Sequence, residues 1–162
     1  MAYRHRIRIR YGECDMQQVV FNANYLAYID DAIDTWMRTV LGPIEQLGFD
    51  FMVKKATVEW QAPARFGDTL DLDVSVARWG RSSFDVLVLG SAGERPIFTA
   101  TLVYVSTTPG EAAATPIPDS VRAALDAHAA TQSGPTAAEG AAGDAAGLDV
   151  AGSAGAAAKA SR

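Results

Sequence analysis

The sequence is poor in the residues that many chemistries need. It holds one cysteine and two histidines in 162 residues. Cys14 has no partner for an internal disulfide, so the fold does not depend on an oxidising compartment. Cys14, His5 and His128 are too few and too scattered to suggest a zinc site, so no metal is expected. Basic residues are outnumbered, 14 Lys and Arg against 19 Asp and Glu. A net charge of −5 excludes a general nucleic-acid binder, which must present a basic surface to phosphates. No apolar run is long enough to span a bilayer. No phosphate-binding glycine loop or dinucleotide fingerprint occurs. The opening residues Met-Ala-Tyr-Arg-His-Arg-Ile-Arg alternate instead of leading into an apolar stretch, which is not the pattern of a signal peptide. A soluble protein of the cytoplasm is the expectation.

What is present divides in two. Residues 1–130 carry the aromatic and branched apolar residues and suffice for one hydrophobic core. From 131 to 162 the chain is mostly Ala, Gly, Ser and Thr with no aromatic residue. Such a segment buries too little apolar surface to offset its ordering entropy, so it reads as a low-complexity, disordered tail.

Within the first part, Tyr3 to Tyr11 alternates strictly, with Tyr3, His5, Ile7, Ile9 and Tyr11 on one face and Arg4, Arg6, Arg8 and Arg10 on the other. That is a half-exposed strand whose arginines form a solvated face. Gly12 to Phe21 reads as a loop. Leu26, Ile29, Ile33, Trp36, Met37 and Val40 recur at helical spacing and predict a long helix over Asn22–Leu41. Asn22 or Asn24 is a candidate cap, and Gly42-Pro43 ends it. A short helical turn at Ile44–Leu47 follows.

Four strands come next, at Phe51–Gln61, Thr69–Trp79, Ser82–Leu89 and Pro96–Ser106. Their turn signals are Pro63 with Gly67-Asp68, Gly80-Arg81, and Gly90 to Gly93. Pro118–Ala130 suits a terminal helix. A strand, a long helix and four closely connected strands predict an α+β fold, an antiparallel sheet of about five strands wrapped around one long helix. That is the hot-dog architecture.

The chemistry concentrates in Tyr11-Gly12-Glu13-Cys14-Asp15-Met16-Gln17-Gln18-Val19-Val20-Phe21-Asn22-Ala23-Asn24-Tyr25. Here the chain leaves a strand, places Asp15 in a loop and enters a helix. Unpaired N–H groups in the first helical turn can polarise a carbonyl oxygen. A nearby carboxylate can then attack that carbonyl or direct a water at it. A loop aspartate before a helix is also an ordinary turn or cap residue.

This segment resembles the signature of the 4-hydroxybenzoyl-CoA thioesterase family and its acyl-CoA thioesterase branch. A second stretch, Phe66-Gly67-Asp68-Thr69-Leu70 followed by Arg78-Trp79-Gly80-Arg81-Ser82-Ser83-Phe84, is similar to the family's later turns. The resemblance runs from about Tyr3 to Ser106. It implies an acyl-coenzyme A thioesterase with Asp15 as nucleophile or general base. The backbone N–H of Asn22 would polarise the thioester carbonyl. Gln18, Val20 and Tyr25 would lie against the substrate, and Arg81, Ser82 and Ser83 near the coenzyme A phosphates. Coenzyme A belongs to the substrate, so no separate cofactor is implied. A homodimer or homotetramer is implied, with substrate in a groove between subunits and Trp36, Phe21, Phe51 and Trp60 as candidate walls.

Two positions depart from the family. Gln18 stands where glycine is common, and Asn22 where histidine or tyrosine is frequent. Gln18 keeps open a non-catalytic acyl-CoA-binding module. A hot-dog hydratase is the weaker alternative, because the strings Asn-Pro-x-His and His-Phe-x-Gly-x-Pro are absent. Glu13 reads as a solvated loop residue, and Asp30, Asp31 and Asp34 as the solvent face of the helix. Cys14 as a thiol nucleophile would lack an obvious base in either His5 or His128.

Overall fold

A computed structural model describes residues 2–111 and 113–131. The tail expected at 131–162 lies outside them, save Thr131 at the end of the last helix. The elements follow in the order β1 (Tyr3–Arg8), α1 (Asn22–Leu41), β2 (Asp50–Trp60), β3 (Thr69–Trp79), β4 (Ser83–Ala92), β5 (Arg95–Thr107) and α2 (Asp119–Thr131). Short 3-10 turns occupy Tyr11–Glu13 and Ile44–Gln46. All strand pairs are antiparallel and form one sheet in the order β1-β3-β4-β5-β2. The fold is therefore α+β.

The alternation of β1 does what its pattern predicts. Arg4, Arg6 and Arg8 are exposed, and the residues between them are half-buried. Arg4 stands opposite Asp73 and Arg6 opposite Asp71, with N···O distances of 2.7 and 2.6 Å. Directly opposed unlike charges of this kind favour one register. The strand stops at Arg8, earlier than the alternation suggests, because Tyr11–Glu13 curls into a 3-10 turn.

The 20-residue α1 buries Tyr25, Tyr28, Ile29, Ala32, Ile33, Trp36 and Met37. Leu26, expected on that face, is 47% exposed, and the two tyrosines take its place. Neither asparagine caps the helix. The cap is Phe21, and Asn24 instead donates its side-chain N–H to the Glu13 carbonyl at 2.8 Å. The buried face meets inward residues of the sheet, among them Leu70, Leu72, Phe84, Val86 and Ile97.

β4 runs to Ala92, past the turn expected from Gly90. Gly90 pairs with Phe98 inside the sheet, and the turn falls at Gly93, whose φ is +61°. The second helix, α2, has 13 residues and seats Val121 and Leu125 against the core. Trp79 donates to Asp126 at 3.0 Å, and the Arg122 guanidinium lies 5.0 Å over the Trp79 ring. No helix among the described residues is long and apolar enough to cross a membrane.

Candidate active site

Asp15 opens a tight hairpin. Its carbonyl accepts from Gln18 N and its own N–H donates to Val19 O, both at 2.9 Å. Gln18 closes the turn with φ +62°, the left-handed conformation that glycine adopts most easily. A glycine would take this conformation without strain. Asp15 Oδ1 accepts from Gln17 N at 2.8 Å, and the residue stays partly exposed.

A second segment holds this hairpin. Val20 N donates to Ala64 O at 2.9 Å, and Val19 bridges Arg65. The 62–68 segment is itself fixed through Asp68, whose Oδ2 accepts from Arg65 N at 2.9 Å and Arg95 Nη2 at 2.7 Å. Between the two segments lies an open depression of about 610 Å³, lined by Tyr11, Gly12, Cys14, Asp15, Met16, Gln18 and Phe66. Its rim is apolar, with Tyr11, Met16 and Phe66 exposed and the Tyr11 and Phe66 rings edge to face at 5.9 Å. The sequence reading did not single out these three. Their signal was the placing of large apolar residues in turns, where solvent reaches them.

Glu13 is not the solvated residue its loop position suggests. Its side chain is only 13% exposed. Oε1 accepts from Arg10 Nε at 2.9 Å and Nη2 at 2.7 Å, and Oε2 accepts from Arg10 N at 2.7 Å. Burial pushes the Glu13 carboxyl up, but the Arg10 side-chain and backbone bonds outweigh it and hold it below the usual carboxylate range. Tyr28 Oη lies near this carboxylate, outside hydrogen-bond geometry. Burial first, and then the Glu13 charge, push that hydroxyl up.

Asn22 faces a neighbouring depression of about 300 Å³, with Val19, Val20, Tyr25, Trp60, Gln61, Ala62 and Pro63. Phe21 offers no side-chain acceptor to the first turn of α1, so the Asn22 N–H is left uncapped. Val20 and Tyr25 are 1% and 2% exposed, so they form the floor of this depression and belong to the core. Tyr25 Oη accepts from Ala64 N at 3.1 Å. Within one chain, then, Asp15 and Gln18 share one depression while Val20, Asn22 and Tyr25 share the next.

Arg81, Ser82 and Ser83 line neither depression. Arg81 and Ser82 form the β3–β4 turn and Ser83 begins β4; Arg81 O accepts from Ile117 N at 3.0 Å and Ser82 O from Ser106 N at 2.9 Å. From Thr69 beside the Phe66 turn, β3 runs roughly 33 Å before reaching this turn, at about 3.3 Å per residue. Of the other candidates, Asp31 lies 2.9 Å from His5 Nε2 and Asp34 pairs with Arg38 at 2.9 Å. Trp36 is 2% exposed and donates toward His128 Nδ1 at 3.4 Å, so it is no substrate wall. Phe51 is half-buried among Phe49, Phe84 and Tyr104, whereas Phe21 and Trp60 are exposed. Among the described residues no three His, Cys, Asp or Glu side chains gather as metal ligands would.

This arrangement of sheet and helices has counterparts. Residues 9–125 match the family model of the thioesterase-like superfamily, and the chain belongs to that superfamily. Among curated relatives, the acyl-CoA thioester hydrolase YbgC of Escherichia coli is 31% identical over 77 residues, 46% of this chain and 58% of the relative. The chain thus spans less than two thirds of that relative's length. Among solved structures, a gentisyl-coenzyme A thioesterase, BH1999, superposes with a TM-score of 0.69 at 25% identity, covering 76% of this chain and 99% of that one. A thioesterase-superfamily protein of Jannaschia sp. CCS1 gives 0.73 at 21% identity, over 78% and 92% of the two chains. The hot-dog architecture expected from the element order is the fold shared with these proteins.

Proposed function

We propose that this chain hydrolyses acyl-coenzyme A thioesters, with Asp15 as the catalytic carboxylate. The observation that carries the reading is the Asp15 hairpin itself. It opens into an apolar-rimmed depression, and the uncapped start of α1 lines the neighbouring one. Superfamily membership and the names of YbgC and the gentisyl-coenzyme A thioesterase support the same chemistry.

In this reading Asp15 takes a proton from water as the water oxygen adds to the thioester carbonyl carbon. The Asn22 N–H stabilises the resulting oxyanion, and collapse breaks the C–S bond. The free acid and coenzyme A thiol leave. Direct attack by Asp15, forming an anhydride that water then opens, uses the same groups. Neither route needs a metal or a separate cofactor. The cytoplasm is the proposed location.

A homodimer or homotetramer is part of the proposal. Among the described residues β2 pairs only with β5 and exposes Met52, Val53 and Trp60, an apolar edge that a second copy would cover. The Arg81, Ser82 and Ser83 turn is remote from Asp15 of its own chain. It contacts coenzyme A phosphates, in this proposal, from a second copy.

The test is thiol release from short, long and aromatic acyl-CoAs by wild type and Asp15→Asn. Release that falls by about a hundredfold or more in the variant supports the assignment. Release untouched by the substitution sinks it. Gln18 favours one other reading, because it lines the depression at the position where the resemblance implies a glycine. Tight acyl-CoA binding without thiol release would mark a binding module, and Gln18→Gly would then be the variant to examine for gained turnover.

A further inference from the structure

The Glu13 side chain is held by Arg10, two residues beyond the end of β1, and its main chain is held at the start of α1. Its carboxylate takes three bonds from Arg10, the cap residue of the Tyr11–Glu13 turn. Its carbonyl takes Phe21 N at 3.0 Å and Asn24 Nδ2 at 2.8 Å, at the start of α1. The Asp15 hairpin leaves and re-enters between those two anchorages, with Cys14 bridging Val20 just beyond. Such a bracket has a mechanical consequence. The entry to the hairpin is fixed to the helix whose first N–H groups face the neighbouring depression, so the carboxylate and those donors keep one relative position.

It also has an electrostatic consequence. Glu13 is a mostly buried anion two residues from Asp15. An uncompensated charge there would itself tend to protonate. The groups around the Glu13 carboxylate are Arg10 from the β1 side and Tyr28 from α1, with Cys14 adjoining in the loop. Arg10 is the single cation among these, and its own side chain is 82% exposed. Removing it therefore disturbs little packing.

We infer that Arg10 and Glu13 act together as positioning residues for Asp15, fixing the hairpin against the helix start and cancelling the second negative charge beside it. The inference rests on the hydrolase reading of Asp15. Two guanidinium N–H groups converge on the one oxygen Oε1, a contact the arginine fork makes and a single lysine ammonium does not reproduce, so the pair depends on guanidinium shape as well as charge. Glu13 touches no substrate in this scheme.

The experiment compares wild type, Arg10→Ala, Arg10→Lys, Glu13→Gln and Asp15→Asn, with Arg6→Ala as the loss of an exposed strand ion pair. Thiol release is measured, and the Glu13 carboxyl carbon is titrated by NMR. Arg10→Ala and Glu13→Gln are expected to lower kcat roughly tenfold or more with KM held within about twofold, because misplacement of a reacting group falls on the chemical step. Arg10→Lys should recover part of the loss, and Arg6→Ala should match wild type. In Arg10→Ala the Glu13 carboxyl should titrate higher than in wild type, because the bonds that hold it down are gone. Unchanged kcat in Arg10→Ala, or an unmoved Glu13 titration, overturns the inference. So does a rate loss that simply tracks lost thermal stability. If wild type and Asp15→Asn release thiol alike, the hydrolase reading fails on its own, and the titration still reports whether Arg10 holds the Glu13 carboxylate.

Discussion

Gly90 on β4 and Phe98 on β5 are directly paired, and a Cβ built on Gly90 would fall inside 3.0 Å of three ring carbons of Phe98. The ring fills the volume a side chain would otherwise take, and it packs edge to face on Tyr25 at 5.5 Å. Phe98 is 1% exposed, so it has little room to retreat. Gly90→Ala is expected to destabilise by about 1–3 kcal/mol through overpacking. Urea denaturation of wild type and variant checks this, and Gly90→Ala paired with Phe98→Leu should recover part of the loss. Equal midpoints for wild type and Gly90→Ala would refute the steric account.

Gln18 pays a conformational cost at φ +62°. A left-handed non-glycine residue costs about 1–2 kcal/mol, whereas glycine adds about 0.5–1 kcal/mol of chain entropy on folding. The balance favours Gln18→Gly by up to about 1.5 kcal/mol. Gln18→Val should move the other way, since a branched side chain tolerates this conformation least. Thermal melts of the three proteins should rank glycine, glutamine, valine. A valine variant as stable as wild type would contradict the turn geometry.

Several parts of this molecule were legible in the order of its residues. The bounds of α1, Asn22–Leu41, follow from apolar spacing and Gly42, and the arginine face of β1 follows from strict alternation. The site was legible only as a loop aspartate before a helix, and the resemblance supplied its role. What stayed hidden depends on contacts between distant residues. Glu13 is half-buried because a 3-10 turn folds it back under Arg10, and no periodicity records that. Gly90 looks like punctuation until Phe98 is set against it. Tyr25 reads as a site residue by position, yet its hydroxyl serves Ala64, 39 residues away.

That last contact makes its own prediction. Tyr25→Phe removes the acceptor for a buried Ala64 N–H and should cost about 1–3 kcal/mol. Hydrogen exchange at Ala64 should accelerate. If Tyr25 served the substrate instead, the variant would change KM and leave exchange at Ala64 alone.

Asp71 carries a pH signature. Its hydrogen bond with Arg6 is the largest cause holding its carboxyl below the ordinary 3.8. A depressed folded value means the stabilisation is fully present above the unfolded value and is lost as pH falls through the folded one. Asp71→Asn should therefore be less stable than wild type near neutrality, with the difference closing below about pH 4. Because Arg6 is exposed, the effect is small and should shrink in high salt. A difference that widens in acid would reverse the assigned sign.

The strand order β1-β3-β4-β5-β2 has a temporal counterpart. The middle of the sheet, Thr69 to Thr107, is a meander whose neighbours in space are neighbours in the chain. Contacts of short sequence separation close quickly, whereas β1 must find β3 across more than sixty residues. Pulse-labelled exchange should find β3, β4 and β5 protected ahead of β1. The Asp15 hairpin and the start of α1 hang from the late-joining border, so the cleft they frame is absent from any early intermediate and is the last thing the chain completes.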